Sequence, residues 1–338
     1  METHDDAGAG PVIAVAGATG HVGGEAARLL AGLASGGASG AVSGKASGAA
    51  PGRGHDAGAA TGRAPFRLRV LARDPARTAA VARRLGPGVV PLTAAYGDPD
   101  AARAALEGTD VLFMVSAAES AHRLEEHAAF IGAAADAGVR HVVYTSFFEA
   151  SPTAVFTLAR DHFATEEMLR AAGPAWTFLR DNFYLDVFAH FADADGVIRG
   201  PADDGRVSAV ARRDVAACAA VVLAGAAADL AVGRDCAHAG RRYELTGPEA
   251  LTLGEVAAGL AAATGRPHRF EQETVAAAYA SREPYGAEPW QLDAWVSTYT
   301  AIASGELART TGDVEALTGR PATSLAALLR DGGGTPVA

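Results

Sequence analysis

Three glycines, Gly17, Gly20 and Gly23, are spaced as GATGHVG between the apolar run PVIAVAG and HVGGEAARLLAGL, whose apolar residues recur with helical periodicity. Between a strand and a helix, glycine at these positions lets the chain turn tightly and approach a pyrophosphate with no Cβ in the way. It also seats the helix close on the strand, with the helix amides and dipole facing the phosphates. The chemistry this spacing points to is dinucleotide binding. An acidic residue about 20 positions further on would mark a partner for the adenosine ribose, but that interval holds mostly small residues. Beyond it, LARDP places Arg73 where the ribose should lie. Its planar guanidinium suits a 2′-phosphate, which favours NADP(H) over NAD(H); a solvated strand-end charge beside Asp74 is the plain alternative. Asp98, in YGDPD, serves equally as an adenine contact or as a helix cap. Ser116, closing DVLFMVS, should line the nicotinamide side.

A frame must hold these groups, and the chain alternates strand and helix patterns along most of its length. After the glycine turn, residues from about 33 to 65 collapse to Gly, Ala, Ser and Pro, which cannot bury enough apolar surface to offset their ordering and read as a disordered surface insert. The pattern resumes with FRLRVLAR as a strand and TAAVARRLG as a helix, then GVVPLTA, DPDAARAALEG, DVLFMVS, HRLEEHAAFIGAAADAG and HVVYTSF in strict alternation. ATEEMLRAAG, PAWTFLRDNF and ARRDVAACAAVVLAG continue it, the last with Asp214 placed as an N-cap. Strands separated by helices of this length specify a parallel sheet covered on both faces, a doubly wound α/β fold. After about residue 236 the pattern shifts to helices carrying Tyr279, Tyr285, Trp290, Trp295 and Tyr299. The expected organisation is a tail over 1–10, a dinucleotide domain over 11–235, a capping subdomain over 236–330 and a tail over 331–338. Ligands in such folds sit beyond the carboxyl ends of the strands, where a cap closes over them.

Composition narrows the function classes. Among 338 residues 49% are hydrophobic and the net charge is −10, so no basic field is available to a phosphate backbone and a nucleic-acid partner is not expected. The acidic N-terminus METHDDAGAG lacks the basic, then apolar, layout of a signal peptide, and no stretch of about 18 uninterrupted apolar residues occurs. A cytoplasmic protein without a membrane partner is expected, with monomer and homodimer both open. Cys218 and Cys236 are too few for a disulfide framework, and Cys218 reads as a small buried hydrophobe. His122 and His127 have no ligand partners at metal spacing, and no Gly-x-Ser-x-Gly elbow is present, so neither a metal centre nor a serine hydrolase is expected.

GATGHVG, LARDP, the GD of YGDPD, AGVRHVVYTS, ARDHFATEEML, LRDNFY and YELTGPEALTLGEVA follow one another across nearly all of the chain outside the insert. In that order and spacing the sequence resembles the atypical short-chain dehydrogenases, which include NmrA-like proteins, triphenylmethane reductases and type 2 NAD(P)H:quinone oxidoreductases. The resemblance implies a Rossmann-like fold with NAD(P)H held by Gly17, Thr19, Gly20, His21, Val22, Gly23 and Arg73. It also implies a substrate pocket between sheet and cap; Ser116, Tyr144 and Thr145 are expected on the nicotinamide side, with a buried strand aromatic as the equal reading of Tyr144. The insert departs from the family pattern.

Typical short-chain dehydrogenases pair a tyrosine with a lysine four residues later, so that the phenol protonates the carbonyl oxygen as hydride arrives. About ten residues after Ser146, where that tyrosine is expected, stands Phe156, and Arg160 stands at the lysine position; the chain's single lysine is Lys45, inside the insert. By the resemblance, His162 in DHFATE becomes the candidate donor, since histidine titrates near neutrality, with a positioning role as the alternative. Tyr184, in LRDNFY where the family's substrate loop begins, is a second candidate donor and Tyr299, in the cap, a third, while Ser146 contributes to catalysis as a ribose or substrate hydrogen-bonder. Phe147, Phe148, Asn182, Phe183 and Tyr299 complete the expected substrate wall. Without the Tyr/Lys pair, an unactivated ketone would forfeit about 10²-fold or more in rate, whereas quinones, conjugated enones, iminium ions and cationic dyes accept hydride into delocalised or charged systems. The reading is therefore an NAD(P)H-dependent reductase of flat, electron-poor small molecules of quinone or aromatic polyketide type. A dinucleotide-binding redox sensor that performs no catalysis is the alternative, and a non-redox isomerase or lyase the third.

Overall fold

The computed structural model describes residues 10–35 and 66–332. Lys45 and most of the two outer tails and of the expected insert lie outside the described residues. Seven strands form one parallel sheet: β1 (Val12–Ala16), β2 (Arg67–Ala72), β3 (Val90–Thr93), β4 (Val111–Met114), β5 (His141–Phe147), β6 (Ala175–Asp181) and a late strand, Arg241–Leu245, in the spatial order β3-β2-β1-β4-β5-β6 and then the late strand. β1 and β4 flank the point where the strand order reverses, with Ile13 opposite Val111 and Val15 opposite Phe113. Chain crossovers diverge there, which leaves a crevice at the carboxyl ends.

The sheet is buried on both sides, as its continuous apolar strands require. Helices α1 (His21–Ala34) and α2 (Pro75–Leu85), together with α6 (Arg212–Ala231), cover one face and meet Ile13, Val15, Phe113, Val143 and Leu179. Helices α3 (Pro99–Leu106), α4 (Arg123–Asp136) and α5 (Thr157–Ala171) cover the other, meeting Ala14, Leu112, Met114, Tyr144 and Phe178. Asp74 and Asp98 cap α2 and α3 by accepting from the Arg77 and Ala101 amides, each followed by proline at the first helical position. Asp98 thereby serves as a helix cap, one of the two roles expected of it. Asp214 does not cap α6: Ala211 is the N-cap, and the Asp214 carboxylate instead accepts from the Thr323 amide at 2.6 Å and its hydroxyl at 3.0 Å, tying α6 to the C-terminal segment. α6 has the length and apolarity to span a membrane, but it packs beside α1 on the sheet, and its buried residues belong to the core.

The capping region departs from a simple division at residue 235. The strand Arg241–Leu245, expected to lie in the cap, joins the main sheet beside β6 and becomes β9, while the cap recruits an earlier excursion between β6 and α6. From that excursion β7 (Val197–Gly200) pairs with β11 (Arg269–Gln272), and β8 (Arg206–Val207) pairs with β10 (Leu251–Thr252). α7 (Leu253–Thr264), opened by a Thr252–Glu255 capping box, α8 (Val275–Arg282), α9 (Pro289–Ser304), α10 (Asp313–Thr318) and α11 (Leu325–Arg330) follow. α7, α9 and α11 join a separate apolar cluster with Phe147, Phe156 and Phe188; α10 packs instead on α6.

Candidate active site

The glycine turn has the form its spacing implies. Gly17 sits at φ +69°, in the left-handed region, and a Cβ there would meet Val115 Cβ at 3.0 Å. The Gly20 amide donates to the Gly17 carbonyl at 2.9 Å, and a Cβ on Gly23 would lie 2.5 Å from that same carbonyl oxygen. α1 starts at His21 with no side-chain cap on Gly20 and no acidic residue in its first turn, so its leading amides and positive end are available to an anion. The seat fits a pyrophosphate, and Gly20, His21, Val22 and Gly23 line the cavity next to it. Arg73 is exposed just past the carboxyl end of β2, the strand beside β1, and the neighbouring Asp74 is committed to its helix cap.

The adjoining cavity, about 640 Å³, lies over the carboxyl ends of β4, β5 and β6, roofed by cap residues Phe188, Phe191, Trp295 and Thr298. Strand pleating decides which expected residues reach it, because successive side chains point to opposite faces. On β5, Thr145 and Phe147 line the cavity, whereas Tyr144 and Ser146 turn to the α5 side and are fully buried. Ser146 is not placed for chemistry: its hydroxyl donates at 2.6 Å to Glu166, which also receives Arg180 at 2.7 Å through both carboxylate oxygens. Tyr144 likewise lies behind the cavity wall. Phe148 is buried beneath the Arg309 guanidinium, and Tyr299 packs against Phe191, Gly200 and Arg282, so neither lines the cavity. Asn182 lines it but spends its side chain on the fold, donating to Ser208 and the Leu307 carbonyl and accepting from the Phe183 amide. Phe147, Phe156 and Phe183 form a trio of rings with centroids 4.8 to 5.1 Å apart. The aromatic surface therefore includes Phe156 itself. Arg160 turns away and donates to the Ala154 carbonyl at 2.8 Å.

His162 lies in the wall, 8% exposed, with Nδ1 2.9 Å from the Tyr144 hydroxyl and Nε2 3.1 Å from the Arg123 guanidinium. Since arginine can only donate, Nε2 accepts and Nδ1 carries the proton. Burial, and then the Arg123 charge, hold this imidazole well below its ordinary range, so it is neutral at physiological pH. Arg123, only 5% exposed, also donates to the Ser116 hydroxyl, and the Ser116 amide donates to Thr145 Oγ1 at 2.8 Å. Behind them His127 accepts from the Ala117 amide and contacts Thr165, with burial pushing its pKa down to about 3. Arg123, which also faces the Asp161 carboxylate at 3.8 Å, is the cation of a network that ties the β4 loop to α4 and α5.

At the other end of the cavity stand two groups of which the residue pattern singled out only one. Tyr184 donates its hydroxyl to the carboxyl of Asp181, and both line the cavity. Asp181 closes β6 in register with Phe147 and Leu245 and is 4% exposed; burial pushes its pKa up to about 7 against the opposing pull of the Tyr184 hydroxyl. Burial and the Asp181 charge in turn raise the Tyr184 phenol well above its usual range. Arg212 sits over the Tyr184 ring at 6.0 Å but is paired with Asp186. Asp181, Arg123 and Arg212 were not expected in the site, whereas Trp295 comes from the cap aromatics expected over it. The β6 alternation, with Arg180 inward to Glu166 and Asp181 opposite, was the available signal for the first.

Residues 54–225 match the model of the NAD(P)H-binding family. Quinone oxidoreductase 2 of Escherichia coli is 32% identical over 259 residues, 76% of this chain and 86% of that protein. A (4-alkanoyl-5-oxo-2,5-dihydrofuran-3-yl)methyl phosphate reductase of Streptomyces griseus is 35% identical over 259 residues, 75% of this chain and 86% of that protein. The crystal structure of the Escherichia coli NADPH-dependent quinone oxidoreductase with NADPH superposes with a TM-score of 0.75 at 29% identity, covering 94% of this chain and 99% of that one. The chain belongs to the NAD(P)H-binding family, within the atypical short-chain dehydrogenase group. Its class is that of the NAD(P)H-dependent oxidoreductases.

Proposed function

We propose that this protein uses NADPH to reduce flat, electron-poor conjugated small molecules of the quinone or enone kind. The observation that carries the reading is the pairing of a pyrophosphate seat at Gly20–Gly23 with a cavity of about 640 Å³ walled by the Phe147–Phe156–Phe183 trio, Phe188, Phe191 and Trp295. When bound, the dihydronicotinamide supplies hydride. The protein's part is to orient the acceptor against it by aromatic contact and to exclude water. Phe156 in the wall and Arg160 turned outward leave no Tyr/Lys pair, which disfavours simple ketones and suits acceptors whose reduced forms are weakly basic. His162, neutral and pinned between Tyr144 and Arg123, acts as a positioning residue. The exposed Arg73 at the end of β2 supports NADPH over NADH through a 2′-phosphate. The substrates named for the two relatives, a quinone and a conjugated furanone phosphate, fit this class.

The test is a panel of quinones, enones, cationic dyes and simple ketones, followed by loss of reduced-nicotinamide absorbance with NADPH and NADH. Turnover of the first three classes with little ketone reduction is expected, and Arg73→Ala should weaken NADPH binding about tenfold or more while sparing NADH. NADPH bound but never oxidised would replace the reductase by a dinucleotide sensor.

A further inference from the structure

The proton that must accompany hydride to an oxygen-ended acceptor has no Tyr/Lys source among the described residues, and the cavity holds a different one. We infer that Asp181 and Tyr184 form a proton relay, in which the Tyr184 hydroxyl faces the acceptor and the Asp181 carboxyl stands behind it as the proton store. This rests on the reductase reading above. Three features of the geometry carry it. The two side chains are already hydrogen-bonded. Both lie in the wall of the same cavity as the phosphate seat, together with Ser116 and Thr145 on the nicotinamide side. The carboxyl is enclosed, and among the described residues no cation is free to hold it as an anion: β5 and β9 present Phe147 and Leu245 beside it, and Arg212 from α6 is engaged by Asp186 from the turn after β6.

The step balances without a further reactant. The acceptor's carbon framework gains hydride with its electron pair, and its oxygen, now carrying the negative charge, takes the proton of the Tyr184 O–H. The Asp181 O–H bond breaks as that proton passes to the Tyr184 oxygen, leaving a carboxylate that is reprotonated from solvent. The state of Asp181 sets the direction. As a carboxylate it accepts from Tyr184 and makes the phenol a poorer acid; as the neutral acid it can donate. Its elevated pKa keeps a working fraction of the acid near neutral pH. A cationic dye, whose charge is cancelled by hydride alone, does not draw on the relay.

Two measurements test this. Infrared titration of the cofactor-free protein should show one protonated carboxyl that ionises near neutral pH and is absent from Asp181→Asn. In wild-type turnover, kcat/KM for a quinone should fall tenfold per unit above about pH 7, while that for a cationic dye stays level. Asp181→Asn and Tyr184→Phe should each cost the quinone reaction about 10²-fold more than the dye reaction. No carboxyl titrating above the ordinary range, or equal losses on quinone and dye, overturns the relay while leaving the reductase standing. NADPH left unoxidised by every acceptor overturns the reductase reading instead, whatever the infrared titration shows.

Discussion

Gly23→Ala is the sharpest test of the phosphate seat. The added Cβ would stand 2.5 Å from the Gly17 carbonyl oxygen, 2.8 Å from its carbon and 3.0 Å from the Ala16 carbonyl oxygen, all backbone atoms. Relief requires α1 to move from the turn by most of an ångström, against Ala26, Ala27, Leu30 and Ala31, which are buried in the core under α6. Overpacking of this kind costs about 1 to 3 kcal/mol, and for a domain this size each kcal/mol lowers the melting temperature by about 2 °C. The displaced amides no longer converge on one anion, so NADPH affinity should fall about tenfold to a hundredfold, or 1.4 to 2.7 kcal/mol. Gly32→Ala is the internal control: it lies on the same helix with nothing within 4 Å of its Cβ position, and alanine there should stabilise by about 0.5 to 1 kcal/mol. The assay is thermal melting with fluorescence titration of NADPH on each variant. Native-like NADPH binding by Gly23→Ala, or destabilisation by both substitutions alike, would refute the reasoning.

Two further outcomes follow from buried polar groups. His127, His141 and His162 are held below the ordinary histidine range by burial, the first two at about 3 and about 4, so they stay neutral in the fold but protonate on unfolding below about pH 6.5. Stability is therefore lost as pH falls, by up to three protons; Asp181, whose folded pKa is raised to about 7, binds a proton only in the fold over this range and opposes one of them. Denaturant melts between pH 6 and 5 should show a net slope of about 2 to 3 kcal/mol per pH unit, steeper by about 1.4 in Asp181→Asn; a flat profile would contradict the neutral histidines. Glu166→Ala strands the buried Arg180 guanidinium, which otherwise donates twice to Glu166 at 2.7 Å. A loss of about 3 to 5 kcal/mol is expected, with NADPH affinity unchanged because neither residue lines the cavity; a loss under about 1 kcal/mol would show the pair to be dispensable.

Local patterns determined much of this protein on their own. The strands are continuous apolar runs bounded by glycine, the helices carry Asp-Pro starts at residues 74–75 and 98–99, and Gly17, Gly20 and Gly23 occupy positions where a Cβ meets backbone or the next strand. Such signals act within a few residues, so they are readable without the fold. The identities of positions 156 and 160, Phe and Arg where the resemblance expects Tyr and Lys, were equally legible. Membership of the site was decided by the tertiary structure. The run from Tyr144 to Phe148 presents five plausible side chains, and the pleat sends Thr145 and Phe147 to the cavity while Tyr144 and Ser146 go to a buried network. Residues 197–200 and 206–207 joined the cap and residues 241–245 joined the sheet, because pairing with distant strands fixed their place. Asp181 shows the difference best. In the sequence it is one of 39 acidic residues, placed in the strand pattern PAWTFLRDNF; closure of the cap over the strand ends removes its water, and that desolvation turns an ordinary carboxylate into an acid poised near neutrality.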